Sequence, residues 1–352
     1  MQAAIFSYSR KGATLSLKVK TVLQDLGYVV TAHTTPKYTE VDASLLFSKG
    51  CVAEAEKAFA SNSVIIYIGA TGIAIRAIAP WIKSKVVDPA IINIDERGIF
   101  VISLLSGHIG GANALTKKIA SSIGGQAVIT TATDINHLLS VDEWATKRNY
   151  YITSLAQAKE FAAALVDGEK VGLQSIYPLE STVPPELVLV DEDISALRCG
   201  LVLDKNTTKQ PFKHTLTILP RVYTLGIGCR KNIECEAIEA FVTEQLQLLG
   251  IDYHAVKQVC SIDLKEHEVG LLTFCAKHKL PSRFYTSEEL SQVPGDFTES
   301  ALVQRVTGVG NVCERAALLG SSMGERILKK TTHNGVTLAI AQETIKINFD
   351  EE

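Results

Sequence analysis

Val64-Ile-Ile-Tyr-Ile68 is apolar at every position, too short for a membrane helix and too uniform for a strand with one wet face. Such a run fits a strand covered on both sides, and helical patterns separate it from comparable runs. Residues 3–6 read as a strand, and 14–26 as a helix with Leu15, Val19, Val22, Leu23 and Leu26 on one face. Residues 91–94 and 99–104 flank Asp95-Glu-Arg-Gly98, a tight-turn or hairpin signal. A helix over about 111–121 and a strand over 127–130 follow. This alternation predicts an α/β class with mostly parallel sheets flanked by helices.

At 352 residues the chain exceeds what one core usually serves, so several domains are expected. An N-terminal α/β domain is assigned to 1–138. Residues 139–220 form a middle insert domain and linker, where a helix over 154–166 precedes short strands broken by Pro178, Pro184, Pro185, Pro211 and Pro220. A second α/β domain spans 221–352, with a strand at 222–227, a helix near 234–249 and a closing strand at 336–341. Four capping-box patterns mark helix starts: Ser140 with Glu143, Asp263 with Glu266, Thr286 with Glu289, and Asn311 with Glu314.

Charge excludes several function classes. The net charge is -3 and no run of Lys or Arg exceeds two, so nucleic acid and anionic membrane are not expected partners. The apolar stretch 64–82 is interrupted by Gly69, Gly72, Arg76 and Pro80, which read as strand, turn and helix, not as a membrane span. The opening residues lack the pattern of a signal peptide. Seven cysteines without a CxxC pair suit free thiols and a cytoplasmic location. Histidines and cysteines never fall at metal-ligand spacing, so no metal site is expected.

Three glycine-marked corners fall where a strand ends and a helix begins, the edge at which α/β sheets collect ligands. The first holds Gly69, Thr71 and Gly72, with Arg76 one turn on; it is either a tight turn or a ligand loop. The second is Ser106-Gly-His-Ile-Gly-Gly-Ala-Asn113, where Gly107, Gly110 and Gly111 surround His108. That imidazole is either a proton-transfer group near neutral pH or a solvated loop residue. Thr130, Thr131 and Asp134 follow at the end of the next strand. The third corner holds Gly228, Cys229 and Arg230, lacks the third glycine of a dinucleotide fingerprint, and is followed by Lys265, Asn311 and Arg315. Cys229 is either a nucleophile or a packing residue, and Arg230 is suited to clamp a carboxylate.

The stretch from Ile94 through Ser106-Gly-His-Ile-Gly-Gly-Ala-Asn113, followed by Val128-Ile-Thr-Thr-Ala-Thr-Asp134, closely resembles the CbiG family of cobalamin biosynthesis proteins. Leu225-Gly-Ile-Gly-Cys-Arg-Lys231, Ser261-Ile-Asp-Leu-Lys265 and Gly308-Val-Gly-Asn-Val-Cys-Glu-Arg-Ala-Ala317 look like that family's terminal domain, which is similar to CobE. The resemblance implies cobalt-precorrin-5A hydrolase activity: opening of the ring A acetate δ-lactone and loss of C20 with its methyl as acetaldehyde, giving cobalt-precorrin-5B. Cobalt then arrives inside the corrinoid substrate, and no cofactor is expected.

Lactone opening needs an activated water and donors for the developing oxyanion. His108 is the candidate base, and the N–H groups around Gly107 to Gly111 are the candidate oxyanion donors. The remaining corner residues are candidate contacts for the polycarboxylate substrate. An alternative is a non-catalytic corrinoid-binding or hand-over protein of the same pathway. Oligomeric state stays open, a homodimer included.

Overall fold

The computed structural model describes residues 1–48, 50–84, 87–190 and 197–350. Two compact units divide the chain, Met1–Glu143 and Trp144–Glu352. The first contains strands β1 (Gln2–Ser7), β2 (Val29–Thr34), β3 (Leu45–Phe47), β4 (Val64–Ile68), β5 (Ala90–Ile94), β6 (Phe100–Leu105) and β7 (Gln126–Val128). Its helices are α1 (Arg10–Asp25), α2 (Cys51–Ser61), α3 (Thr71–Ile78), α4 (Ala112–Ile123), α5 (Ala132–Ile135) and the first turn of α6 (Val141–Lys147). The strands form one sheet in the order β3-β2-β1-β4-β5-β6-β7.

Every residue of β4 is buried, as its uniformly apolar run requires. On one face Ile5, Ile66 and Ile92 pack with Val19, Leu23 and Ile119 of α1 and α4. On the other, Phe6, Ile65 and Tyr67 meet small residues of α2 and α3, Ala55, Ala58, Ala74 and Ala77. Each large aliphatic side chain buried this way contributes roughly 1.5–3 kcal/mol. Helix α1 already begins at Arg10, because Ser9 caps it by accepting the Gly12 N–H at 3.1 Å. Leu26, expected on its buried face, lies past the helix end and is exposed.

The Asp95–Gly98 turn decides at which rim His108 lies. The Asp95 carboxylate accepts the N–H groups of Arg97 and Phe100, and the chain reverses. β6 therefore runs antiparallel to β5, with Asn93 opposite Ile102, and β7 follows the direction of β6. The strands β1 to β5 are parallel, so β6 and β7 end at the rim where those five begin. Five residues of β5 at about 3.3 Å each put the two rims about 16 Å apart. The expectation that the first two glycine corners share an edge is thereby corrected.

The second unit holds two sheets. Its first strands are β8 (Tyr151–Ile152), β9 (Val171–Ser175), β10 (Leu187–Leu189), β11 (Cys199–Leu203) and β12 (His214–Leu219), with helix α7 (Leu155–Val166) between β8 and β9. They pair in the order β10-β9-β11-β12-β8, with β8 alone antiparallel to its neighbour. Ala158, Phe161, Ala164 and Leu165 form the buried face of α7, and Leu155 is exposed.

The last sheet is built from β13 (Tyr223–Cys229), β14 (Val256–Ile262), β15 (Ser282–Tyr285), β16 (Glu325–His333) and β17 (Val336–Gln342). Its order is β15-β14-β13-β17-β16, with β13 to β15 parallel. Helices α8 (Cys235–Leu248), α9 (Val269–Lys277), α10 (Ser287–Ser291), α11 (Ala301–Thr307) and α12 (Cys313–Gly320) complete it. The chain does not close on β17. Its end returns to the middle sheet, where Ile347 bridges to Leu179 and the Phe349 ring stacks on Trp144 at 5.0 Å.

Of the four capping boxes, Thr286 with Glu289 is present in both directions. Asp263 and Glu266 instead belong to a single 3-10 turn, where Asp263 accepts the Leu264 N–H. At 140–143 the capping acceptor is Asp142, which takes the Glu143 N–H and the Ser140 hydroxyl. Asn311 does accept the Glu314 N–H, but the carboxylate answers to the Asn311 side-chain amide and not its backbone.

Candidate functional site

The loop between β6 and α4 is folded tightly on itself. An added Cβ on Gly110 would lie 2.4 Å from the Ser106 Cβ, and one on Gly107 would lie 2.7 Å from the Asn113 Oδ1. Glycine is needed at both because the chain passes too close to itself for any side chain. Gly111 caps α4 in the left-handed region, at φ 78°. The N–H groups of Gly111, Ala112 and Asn113 are taken by the carbonyls of His108, Ser106 and Gly107. That corrects the expected oxyanion set. Among the described residues, the N–H groups of Gly107, His108, Ile109 and Gly110 keep no partner within the protein.

This fold presents His108 between two carboxylates. Its Nε2 lies 3.0 Å from Asp134 Oδ2, and its Nδ1 lies 3.4 Å from Asp142 Oδ1. The Thr133 hydroxyl stands 3.2 Å from Nε2. Asp134 is itself held in place: Thr131 donates to Oδ2 at 2.6 Å, Asn113 at 2.9 Å, and Lys117 reaches Oδ1 at 3.2 Å. Asp142 and Thr133 were not foreseen as site residues. Thr133 had a signal in the Thr-Thr-Ala-Thr-Asp run, whereas Asp142 was read as an interior position of a capping box.

The electrostatics follow from this enclosure. The hydrogen bond to Asp142 raises the His108 pKa, burial opposes it, and the charges of Asp142 and Asp134 carry the net shift upward. Burial pushes the Asp134 carboxyl up, but hydrogen bonds from Thr131, His108 and Lys117 outweigh it and hold the group below the ordinary carboxylate range. The pair of acids thus stabilises an imidazolium, the form a base reaches after taking a proton.

Several expected contacts turn out to be internal supports. Ser106 is buried and donates to the Asp88 carbonyl, and Asn113 is 2% exposed, so neither faces a ligand. Thr130 lies exposed just beyond β7. Gly69, Thr71, Gly72 and Arg76 stand at the opposite rim from His108. There Thr71 accepts from Asn93, and Arg76 bonds the Gly72 carbonyl of its own helix.

In the second unit a cavity of about 750 Å³ opens at the carboxyl ends of β13 and β14. Gly228 and Cys229 line it from β13, Arg230 from just beyond that strand, Lys265 from beyond β14, and Lys330 from β16. Leu264, Val269 and Val306 add exposed apolar walls. Four cations, counting Lys231, face it against one carboxylate, Glu268, which pairs with Lys265 at 3.3 Å. Burial pushes the Cys229 thiol up to about 11, so little of it is thiolate at neutral pH.

Two predicted contacts are absent from this cavity's lining. Asn311 is fully buried, bonding Glu314 and the Thr298 carbonyl. Arg315 directs its guanidinium to the carbonyls of Leu290, Ser291 and Val293 and to Glu299. Glu314, also fully buried, was set aside as a cap, yet it accepts the N–H groups of Thr298 and Lys330 and so fixes the strand that carries Lys330.

Among the described residues, no helix is long and apolar enough to cross a membrane, and no group of His, Cys, Asp and Glu is arranged to hold a metal ion. The six described cysteine side chains are free thiols.

A family model described as Cobalamin synthesis G N-terminal matches residues 54–134, and one described as Cobalamin synthesis G C-terminus matches 223–341. The chain is 33% identical over 347 residues to a cobalt-precorrin-5A hydrolase of Salmonella typhimurium, covering 96% of each protein. It is 31% identical over 297 residues to a cobalt-precorrin-5A hydrolase of Priestia megaterium, covering 80% of this chain and 79% of that one. Protein CobE of a Sinorhizobium species matches 119 residues at 27% identity, 33% of this chain and 77% of that one. With both terminal regions matched and the similarity continuous along its length, the chain belongs to the CbiG family of cobalamin-synthesis proteins.

Proposed function

We propose that this enzyme hydrolyses the δ-lactone of cobalt-precorrin-5A and releases acetaldehyde, giving cobalt-precorrin-5B. The observation that carries this reading is the 33% identity, along 96% of the chain, to a relative named cobalt-precorrin-5A hydrolase. The cobalt is part of the substrate, and the reaction calls for no resident cofactor. Free thiols and a modest net charge suit work in the cytoplasm.

In this reading His108 is the base. Asp134 fixes Nε2, and Nδ1, the more loosely held nitrogen, takes the proton. Water adds to the lactone carbonyl while the free N–H groups of 107–110 receive the developing oxyanion. The lactone C–O bond then breaks as His108 returns its proton to the departing C20 oxygen, leaving a carboxylic acid on ring A that ionises to solvent, a hydroxyl on C20 and a neutral imidazole. Removing the proton of that hydroxyl allows the bond from C20 to C1 to break. Acetaldehyde departs, and the macrocycle keeps the electron pair at C1. A well-placed base typically contributes about 100- to 10,000-fold.

Arg230, Lys231, Lys265 and Lys330 suit a macrocycle bearing many carboxylates, and the apolar walls suit its flat faces. Incubating the purified protein with cobalt-precorrin-5A and measuring acetaldehyde with alcohol dehydrogenase and NADH tests the proposal. Stoichiometric acetaldehyde supports it. Tight binding of the corrinoid with no acetaldehyde would replace it with a hand-over role.

A further inference from the structure

The middle sheet carries a cleft that the proposed reaction does not use. β9 leads on to β10 on one side, whereas β11 leads on to β12 on the other. The crevice outside the carboxyl ends of β9 and β11 is therefore a switch point, the usual ligand position in a parallel sheet. A cavity of about 220 Å³ lies there, lined by Gln174 and Ser175 from β9, Val190 beyond β10, Leu203 and Asp204 from β11, and Lys209.

Asp204 is 3% exposed. Its Oδ1 accepts the Lys205 N–H at 2.7 Å, while its Oδ2 makes no hydrogen bond within the protein. The Lys209 ammonium stands 3.2 Å from that oxygen on a side chain that is 58% exposed. A carboxylate taken this far from water costs several kcal/mol unless its lone pairs are met, and a largely solvated lysine meets them incompletely. The arrangement is a deep negative group with a solvent-exposed positive group at the mouth.

We infer that this cleft binds a small zwitterion of amino-acid size, with its ammonium on Asp204 and its carboxylate on Lys209. A water's share of liquid is about 30 Å³, so the space of about 220 Å³ admits a ligand of about seven non-hydrogen atoms. That excludes the macrocycle. The carboxylate side chains of a corrinoid are excluded as well, since Asp204 repels them. The site is thus separate from the lactone chemistry, and its occupancy is measurable without it.

Isothermal titration of the full-length protein with γ-aminobutyrate and L-serine, using butyrate and ethanolamine as half-molecules, tests the inference. At least one zwitterion binds saturably, and Asp204→Asn weakens it by about tenfold or more. Lys209→Met, a change at a surface position, weakens it in the same direction. Circular dichroism and acetaldehyde release stay at wild-type level in both variants. No saturable binding of either zwitterion at about 10 mM overturns the site, as does equal affinity in Asp204→Asn. Ethanolamine binding as tightly as the zwitterions, or binding unchanged in Lys209→Met, overturns the role given to the ligand carboxylate.

Discussion

Asp142 Oδ1 lies 3.4 Å from Nδ1 of His108, on the side of the ring away from Asp134. Because this contact contributes most to the raised His108 pKa, Asp142→Asn should move the imidazole titration to lower pH. If His108 is the base, the acid limb of the rate profile moves with it. An NMR titration of the ring protons reads the first effect, and acetaldehyde release against pH reads the second. An unchanged titration in the variant would remove Asp142 from control of the ring.

The same pair gives stability a defined pH dependence. The folded-state pKa of His108 lies above its ordinary value of 6.5, so the folded protein holds this proton more tightly than the unfolded chain. The resulting stabilisation is complete below about pH 6.5 and is lost as pH rises through the folded value. The denaturation midpoint of the wild type should therefore exceed that of Asp142→Asn more clearly below neutrality than at alkaline pH. A gap that widened with rising pH would contradict the assignment.

His108→Ala removes the proposed base while Gly107, Gly110 and Gly111 keep the loop closed. Turnover should fall by roughly 100-fold, with tenfold as the smallest meaningful loss. Circular dichroism should be unchanged. Wild-type turnover in this variant would take His108 out of the mechanism.

Glu314 is fully buried and accepts two backbone N–H groups at 2.9 Å, besides facing Arg326 at 3.5 Å. Glu314→Ala leaves these donors unmet, at a cost of about 3–5 kcal/mol. Glu314→Gln preserves part of the acceptor set and should lose clearly less. Urea denaturation followed by circular dichroism compares the two, and equal losses would show that the charge is the whole effect.

Phe349 is 7% exposed and stacks on Trp144, whose indole N–H donates to the Asn348 carbonyl at 2.8 Å. Phe349→Ala should cost about 3 kcal/mol. It should also shift Trp144 fluorescence to the red, as water reaches the indole. An unshifted spectrum would mean the chain terminus is not what covers Trp144.

Much of this architecture could be read before any coordinates. Val64–Ile68 fell where its apolar run put it, and the Asp95–Gly98 turn joins the two strands expected to flank it. Patterns of period two or near four report burial, and burial is what these elements maximise. The placement of side chains was less legible. Asn113, Ser106, Asn311 and Arg315 carry the polar groups of a binding residue, yet their partners are carbonyls, a hydroxyl and a carboxylate distant in sequence. Nothing in local spacing separates a buried polar support from a ligand contact. Asp142 was missed for the opposite reason, since its partner across the fold leaves no trace in the residues beside it. The hairpin is legible in the sequence, but the reversal of β6 and β7 that sets the two glycine corners at opposite rims is not.

That reversal makes the first sheet a partition. Gly69 and Ala70, which join β4 to α3, lie at the opposite rim from the imidazole, a strand's length away. The exposed Ala70 is accordingly the place on that rim to attach a reporter at a distance from the proposed base.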